Sequence, residues 1–163
     1  MKQLWAPWRM TYIDQASNGE GCIFCQKIQE ADAREALVLA HTVHSVVMLN
    51  KYPYANGHLL LVPKRHERNL SNLSIDEYSD LNEALRRSTD IVRKSYNPGG
   101  INLGMNLGKC AGAGVEDHLH WHVVPRWEGD TNFMPVIGET RVIPQHLLES
   151  YDRLKPHFQH FSA

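Results

Sequence analysis

Three histidines alternate with apolar residues in the segment His118-Leu119-His120-Trp121-His122. Alternate side chains of a β-strand share one face, so this spacing predicts three imidazoles on one side of a sheet. Leu119, Trp121 and Val123 would then face a packed core on the other side. Imidazole titrates near neutral pH and can act as a nucleophile, a general base or a metal ligand. The segment therefore predicts a sheet with one apolar face and one reactive face.

Two other interpretations of this spacing remain open at this point. The three histidines could form a polar, solvent-facing surface with no chemical role. They could also bind a metal ion together, since one strand can supply more than one histidine ligand to zinc. In the nucleophilic interpretation, a neutral imidazole attacks an electrophilic atom of a substrate at neutral pH and later passes the bound group on.

Composition narrows the class of protein that surrounds these histidines. A chain of 163 residues that is 42% hydrophobic is expected to form one domain, residues 1–163, with a substantial core. A formal net charge of -1 argues against a surface that binds nucleic acid. No apolar run approaches the roughly 18 residues of a membrane span, and Met1–Trp5 lacks the apolar stretch of a secretory signal. We therefore expect a cytoplasmic protein.

The chain order of predicted elements indicates how the histidines are positioned. Residues 1–20 carry several aromatic rings and are expected to form an irregular arm that docks on the domain. Ser74 and Glu77 form a predicted capping box for a long helix that ends at Asn97-Pro98-Gly99-Gly100. The other expected elements are a short helix after Cys25, two strands within 36–50, strands at 58–62, 101–107 and 118–124, and a helix at 144–154. This order predicts an α+β fold with a mainly antiparallel sheet.

The histidine segment resembles a known signature. His118-Leu119-His120-Trp121-His122-Val123-Val124 is similar to the His-x-His-x-His-hydrophobic-hydrophobic motif of the histidine triad (HIT) superfamily of nucleotide hydrolases and transferases. Four other segments resemble the diadenosine tetraphosphate phosphorylase branch of that superfamily: Trp5–Met10, Gly21–Cys25, Leu49–His58 and His122–Trp127. The similar segments extend from about residue 5 to about residue 145.

The resemblance implies roles for individual residues. His120 would be the nucleophile that attacks the α-phosphorus of a nucleotide, His122 would bind the same phosphate, and His118 would complete the triad. Asn106 resembles a phosphate-binding asparagine, Asn50 lies where relatives contact the ribose, and His58 would line the same cleft. Val47 and Leu49 are candidate walls for the base.

The loop Gly108–Gly114 precedes the histidine segment and consists mostly of small residues. Backbone N–H groups of Gly112, Ala113 and Gly114 could approach a phosphate closely, although a plain hairpin turn would have a similar composition. Many relatives carry Gly-Gln-Ser/Thr-Val directly before the triad, and this chain lacks both the glutamine and the hydroxyl. Because a polyphosphate leaving group needs less protonation than an amine, this difference favours dinucleoside polyphosphates over phosphoramidates as substrates.

Cys22 and Cys25 have the Cys-x-x-Cys spacing of half a zinc site. An odd number of cysteines, three, suits a reducing compartment better than a disulfide framework. The resemblance implies that His66 and His118 supply the other two ligands of a structural zinc ion. The alternative is a reduced, buried cysteine pair without metal.

Together these features predict an enzyme of the HIT type. The favoured reaction is phosphorolysis of diadenosine tetraphosphate through an adenylyl-histidine, with inorganic phosphate as acceptor and ADP and ATP as products. A hydrolase of dinucleoside polyphosphates or nucleoside phosphoramidates, and a nucleotide-binding regulator with little turnover, are the alternatives. Because HIT proteins usually pair, the resemblance also implies a homodimer.

Overall fold

The computed structural model of the chain describes residues 21–130, 143 and 145–161. The expected aromatic arm at residues 1–20 lies outside the described residues. The helices are α1 (Ile23–Gln29), α2 (Ile75–Tyr96) and α3 (Leu147–Leu154). The strands are β1 (Val38–His41), β2 (Ser45–Leu49), β3 (Leu59–Pro63), β4 (Gly100–Met105) and β5 (Trp121–Arg126).

The five strands form one sheet in the order β1-β2-β3-β5-β4, and every neighbouring pair is antiparallel. The central strand β3 is buried along its whole length and pairs with β5 through Leu60 and His122. This arrangement confirms the predicted α+β fold with an antiparallel sheet. It also places the histidine segment beside a fully buried strand, which holds its backbone in a fixed position.

The two faces of the sheet carry different clusters of apolar side chains. Helix α2 and helix α3 cover one face, where Leu81 and Leu85 pack with Leu61 and Val123. Helix α1 contributes Phe24 to a smaller cluster on the other face, with Met48 and Leu60. Residue His122 pairs with Leu60 and therefore lies on the smaller cluster's side of the sheet.

Helix α2 begins and ends as its sequence predicts. The Ser74 hydroxyl accepts from the Glu77 N–H while the Glu77 carboxylate accepts from the Ser74 N–H, so the capping box is complete. At the other end Asn97 adopts a left-handed conformation with φ of 44°, which terminates the helix. None of the helices in the described part of the chain combines the length and the apolar character needed to cross a membrane.

Several element boundaries differ from the predicted ones. The expected strand 118–124 begins only at Trp121, because the Leu119 N–H donates to the Glu67 carbonyl instead of a neighbouring strand. That strand also continues through Pro125, which pairs with Ile101.

Three other elements also begin or end at different residues. Strand β4 spans 100–105 instead of 101–107, helix α1 begins before Cys25, and α3 begins at Leu147 after a His146 cap. The expected start of α3, Pro144, lies outside the described residues.

Candidate active site and metal cluster

His118 occupies a different environment from the other two histidines of its segment. Its ring is buried, with Nδ1 3.3 Å from Cys22 Sγ and 3.6 Å from Cys25 Sγ. The Pro63 carbonyl oxygen lies 2.8 Å from Nε2 and can only accept, so Nε2 carries the proton and Nδ1 presents its lone pair to the sulfurs. Burial lowers the pKa of His118, which keeps the ring neutral and suitable for binding a metal.

The four residues predicted to bind zinc meet at one place. One ligand atom from each of Cys22, Cys25, His66 and His118 lies within 4.8 Å of all the others. Tetrahedral zinc with ordinary bond lengths separates a sulfur from a nitrogen ligand by about 3.6 Å. The distances of 3.3 Å from Cys22 to His118 and 3.4 Å from Cys25 Sγ to His66 Nδ1 are close to that value. The donor set therefore fits a closed zinc site.

His120 is oriented by the backbone of His118. Its Nδ1–H donates to the carbonyl oxygen of His118 over 2.9 Å, which leaves the Nε2 lone pair as the reactive position of a neutral ring. Burial lowers the pKa of His120, although the same hydrogen bond opposes that shift. The ring packs on Phe24, with centroids 4.9 Å apart. A buried, neutral imidazole with one fixed nitrogen is well suited to nucleophilic attack at neutral pH.

His122 contacts both His120 and a fourth histidine. The rings of His120 and His122 lie 5.0 Å apart in an edge-to-face arrangement. On the other side, His58 Nε2 lies 3.0 Å from His122 Nδ1. The sequence predicted that His58 lines the nucleotide cleft, whereas the structure places it fully buried beneath His122. Its position makes it a partner of the histidine instead of a surface residue of the cleft.

The hydrogen bonds around His58 determine its protonation. Its Nδ1 accepts from the Tyr54 backbone N–H over 3.0 Å and lies 3.3 Å from the Asn50 side-chain nitrogen. Because the backbone N–H can only donate, Nδ1 is unprotonated and Nε2 carries the proton. That proton is donated to His122 Nδ1, so a neutral His122 carries its own proton on Nε2. These two hydrogen bonds make His122 itself a hydrogen-bond donor through Nε2, the ring nitrogen that lies farther from His58.

Asn50, the predicted ribose contact, and the predicted base walls Val47 and Leu49 lie in different surroundings. The Asn50 side-chain oxygen accepts from the Tyr52 N–H over 3.0 Å, so its amide also closes the 50–58 loop from within. Val47 and Leu49 are wrong as walls of a base site on the histidine side, because they pack in the core beneath α2. The alternate residue Met48 faces the histidine side of the sheet instead, in the same cluster as Leu60.

The loop 108–114 folds back on itself between β4 and β5. Its N–H groups of Gly112 and Ala113 donate to the carbonyls of Lys109 and Gly108, and Asn106 donates its amide to the Gly112 carbonyl. Gly108 and Gly112 adopt positive φ angles of 84° and 90°, which favour glycine. Two of the three N–H groups expected to approach a phosphate thus already bond within the loop. The Asn106 side chain, at the start of the loop, stabilises this closed conformation through its hydrogen bond to Gly112.

Two aromatic residues belong to this site but carried no role in the sequence analysis. Phe24 contacts both His118 and His120, with ring centroids 5.6 Å and 4.9 Å away. Tyr54 lies against His58 and His122. Both residues stand inside segments that the sequence singled out, Gly21–Cys25 and Leu49–His58. Their positions depend on the folding of those segments, which spacing alone does not reveal.

Comparisons with known proteins agree with this geometry. The HIT domain family matches residues 32–129. An AP-4-A phosphorylase of Mycobacterium tuberculosis is 36% identical over 157 residues, which cover 92% of this chain and 80% of that protein. A bis(5'-adenosyl)-triphosphatase of Dictyostelium discoideum is 33% identical over 97 residues, 60% of this chain and 64% of that protein. The crystal structure of a hypothetical histidine triad nucleotide-binding protein from Sulfolobus tokodaii has a TM-score of 0.64 and 28% identity, covering 84% of this chain and 89% of that one.

Proposed function

This chain belongs to the HIT domain family, and we propose that it is a nucleotidyltransferase that converts diadenosine tetraphosphate and inorganic phosphate into ADP and ATP. The similarity to an AP-4-A phosphorylase over 92% of the chain supports this substrate. The observation that carries the proposal is the hydrogen bond from His120 Nδ1 to the His118 carbonyl, because it leaves Nε2 as a nucleophile. The reaction then proceeds by two displacements at one phosphorus atom.

In the first displacement, His120 Nε2 attacks the α-phosphorus of one adenylyl group. The bond from that phosphorus to the bridging oxygen breaks, and ATP leaves with the bonding electrons on its terminal phosphate. The product on the enzyme is adenylyl-His120. In the second displacement, an oxygen of inorganic phosphate attacks the same phosphorus, the phosphorus–nitrogen bond breaks, and ADP forms while His120 recovers its lone pair.

His122 would stabilise the phosphorus centre during both displacements. Its Nε2 proton, fixed by the hydrogen bond from His58, can be donated to a non-bridging oxygen where negative charge develops. This donor is oriented before substrate binds, so little reorganisation is needed as the transition state forms. The Gly114 N–H and the Lys109 side chain are the loop groups that we propose bind the remaining phosphates, with Gly112, Ala113 and Asn106 shaping the loop.

Product analysis tests the proposed acceptor. Purified protein is incubated with diadenosine tetraphosphate and labelled phosphate, and the products are separated by chromatography. The proposal predicts equal ADP and ATP, little AMP, and the label in ADP. A second candidate, hydrolysis by water, is favoured by the similarity to a bis(5'-adenosyl)-triphosphatase. AMP and ATP without label in ADP would establish hydrolysis and overturn the transferase assignment.

We propose that Cys22, Cys25, His66 and His118 hold one zinc ion. The support is the fit of their sulfur and nitrogen atoms to a tetrahedral site. Four protein ligands leave no open position, so the ion would be structural and would tie α1 to the 63–66 segment and to His118. His120 would keep its orientation with or without the metal, because the group that it bonds is the backbone carbonyl of His118 and not the His118 ring.

We also propose that residues 1–163 form one domain that pairs with a second copy. Strand β4 lies at one end of the sheet order, where an exposed edge can pair with the same edge of another molecule. Leu103 on this strand and Leu107 after it are exposed, as are Ile75 and Tyr78 of the neighbouring helix start. Sedimentation analysis of the wild type and Leu103→Lys tests the pairing, which predicts a dimer that the substitution weakens.

A further inference from the structure

Tyr54 covers the pair formed by His58 and His122. Its ring centroid lies 4.7 Å from that of His58 and 6.0 Å from that of His122. The Tyr54 and His122 rings are nearly parallel, with an interplanar angle of 17°. Aromatic rings in offset stacks at these distances attract each other and resist rotation. The contact therefore restricts the orientation of His122.

The same residue also acts on the pair through its backbone. The Tyr54 N–H donates to His58 Nδ1 over 3.0 Å, which forces the His58 proton onto Nε2 and toward His122. Tyr54 thus fixes the protonation of His58 with its backbone and the orientation of both imidazoles with its ring. The backbone hydrogen bond and the ring contact act together, so that His122 presents its Nε2–H on the side away from His58.

The loop that carries Tyr54 is held from several sides. The Asn50 N–H donates to the His58 carbonyl, and the His58 N–H donates to the Ala55 carbonyl. Gly57 has a φ of 71° and lies so close to Tyr96 that a Cβ there would be 2.6 Å from the ring. The loop is therefore closed at its base and packed against helix α2. This packing gives Tyr54 a defined position although its side chain is 40% exposed.

We propose that Tyr54 is a positioning residue for nucleotidyl transfer, acting through His122. This inference rests on the proposed function, since it assigns the aromatic ring a part in the same reaction. The ring holds the His122 plane so that Nε2–H reaches the phosphorus centre on His120. Because that hydrogen bond strengthens as charge develops, loss of the ring lowers kcat more than it raises KM.

The test compares Tyr54→Ala, Tyr54→Phe and a matched control, Tyr52→Ala. Tyr52 belongs to the same loop and is 41% exposed, but its ring lies beside Lys51. With diadenosine tetraphosphate and phosphate, we expect Tyr54→Ala to lower kcat about tenfold with less than about a twofold change in KM. Tyr54→Phe keeps the ring and most of kcat, and Tyr52→Ala behaves as the wild type. A Tyr54→Ala kcat equal to that of Tyr52→Ala would overturn the inference.

A spectroscopic measurement separates this inference from the proposed function. Nuclear magnetic resonance spectra of protein with labelled histidines report which ring nitrogen carries the proton and how freely the ring reorients, without any substrate. We expect the Nε2–H form of His122 in the wild type, Tyr54→Phe and Tyr54→Ala, because the Tyr54 backbone N–H is kept, and a His122 ring that reorients more freely in Tyr54→Ala alone, because the stacked ring is lost. His122 ring signals with wild-type shifts and relaxation in Tyr54→Ala would contradict the positioning role even if the protein cleaved a different nucleotide. A wild type without transferase activity but with the expected spectra would contradict only the proposed function.

Discussion

The buried ring of His58 donates from Nε2 to Nδ1 of His122 over 3.0 Å, and this bond decides which nitrogen of His122 carries a proton. The direction of the bond is set farther back, where the Tyr54 N–H occupies His58 Nδ1. A chain of donors thus runs from the backbone of the 50–58 loop to the face of the sheet where His120 lies. The geometry makes the protonation of His122 depend on the backbone N–H of Tyr54, a residue far earlier in the sequence.

Two substitutions of His58 separate its two nitrogens. An asparagine amide can replace Nδ1 as the partner of Tyr54, whereas a glutamine amide reaches the position of Nε2 and can donate to His122. We expect His58→Asn to lower kcat about ten- to a hundredfold, because His122 loses its donor, and His58→Gln to lower it less. Steady-state kinetics on variants with wild-type circular dichroism measure the difference. Equal losses of kcat in both variants would show that the hydrogen bond from His58 to His122 does not account for the loss.

Metal content tests the cysteine–histidine cluster. We expect about one zinc per chain in protein never exposed to chelator, because the four ligands form one tetrahedral set. Cys22→Ser should lower Tm more than it lowers intrinsic activity, since the ion would tie segments together without touching substrate. Cys110→Ser is the matched control, because Cys110 is exposed and outside the cluster. Wild-type protein that contains no metal would remove the zinc proposal and leave the histidine chemistry unaffected.

Gly57→Ala should disturb the loop that carries Tyr54 and His58. Both its φ of 71° and the 2.6 Å approach of a Cβ to Tyr96 oppose a side chain there. Gly129→Ala is a matched control, because Gly129 has a φ of 74° but nothing within 4 Å of its Cβ. We expect Gly129→Ala to cost about 1 kcal/mol of unfolding free energy from backbone strain alone, and Gly57→Ala to cost more and reduce kcat. Denaturant titration measures the unfolding free energy of both variants, and steady-state kinetics measure their kcat. Equal losses of unfolding free energy in the two variants would show that the close approach to Tyr96 has no effect of its own.

Glu77 links stability to pH through the loop that supplies His66. Its hydrogen bonds with Arg65 and with the Ser74 N–H lower its pKa from 4.5 to about 2. The ionised carboxylate therefore favours the folded state above pH 4.5, and this contribution is lost as the pH falls from 4.5 toward about 2. We expect Glu77→Gln to lower Tm at pH 7 and the difference from wild type to shrink below pH 4.5. A constant difference in thermal melts across that range would contradict the assignment.

Local features of this fold follow from the sequence, and long-range ones do not. The capping box of Ser74 and Glu77 was predictable because both partners lie within one turn of helix. The start of β5 could not be predicted, because it depends on the distant Glu67 carbonyl, which accepts a hydrogen bond from the Leu119 N–H. Similarly, β2 is almost continuously apolar, so its sequence does not distinguish its two faces, and only the packing of α2 shows that Val47 and Leu49 face the core.

The site shows the same division between local and long-range information. Cys22 and Cys25 were predicted as metal ligands from their spacing, and His66 and His118 from a resemblance; the structure brings all four together. His58 was predicted to line the cleft, and its burial beneath His122 depends on the pairing of β3 with β5. Tyr54 lies in the segment Leu49–His58 that the resemblance singled out, but its contacts with His58 and His122 arise only when the 50–58 loop closes.

The most direct test of the central claim is detection of the covalent intermediate on His120. Protein is mixed with substoichiometric diadenosine tetraphosphate without added phosphate, quenched under alkaline conditions that preserve phosphoramidates, and digested for mass spectrometry. We predict one adenylyl group on the peptide containing His120, its discharge to ADP when phosphate is added before the quench, and no adduct or turnover in a folded His120→Ala variant that still binds nucleotide. A His120→Ala variant that retained half of the wild-type activity, or an adenylyl group found on another residue, would contradict the account.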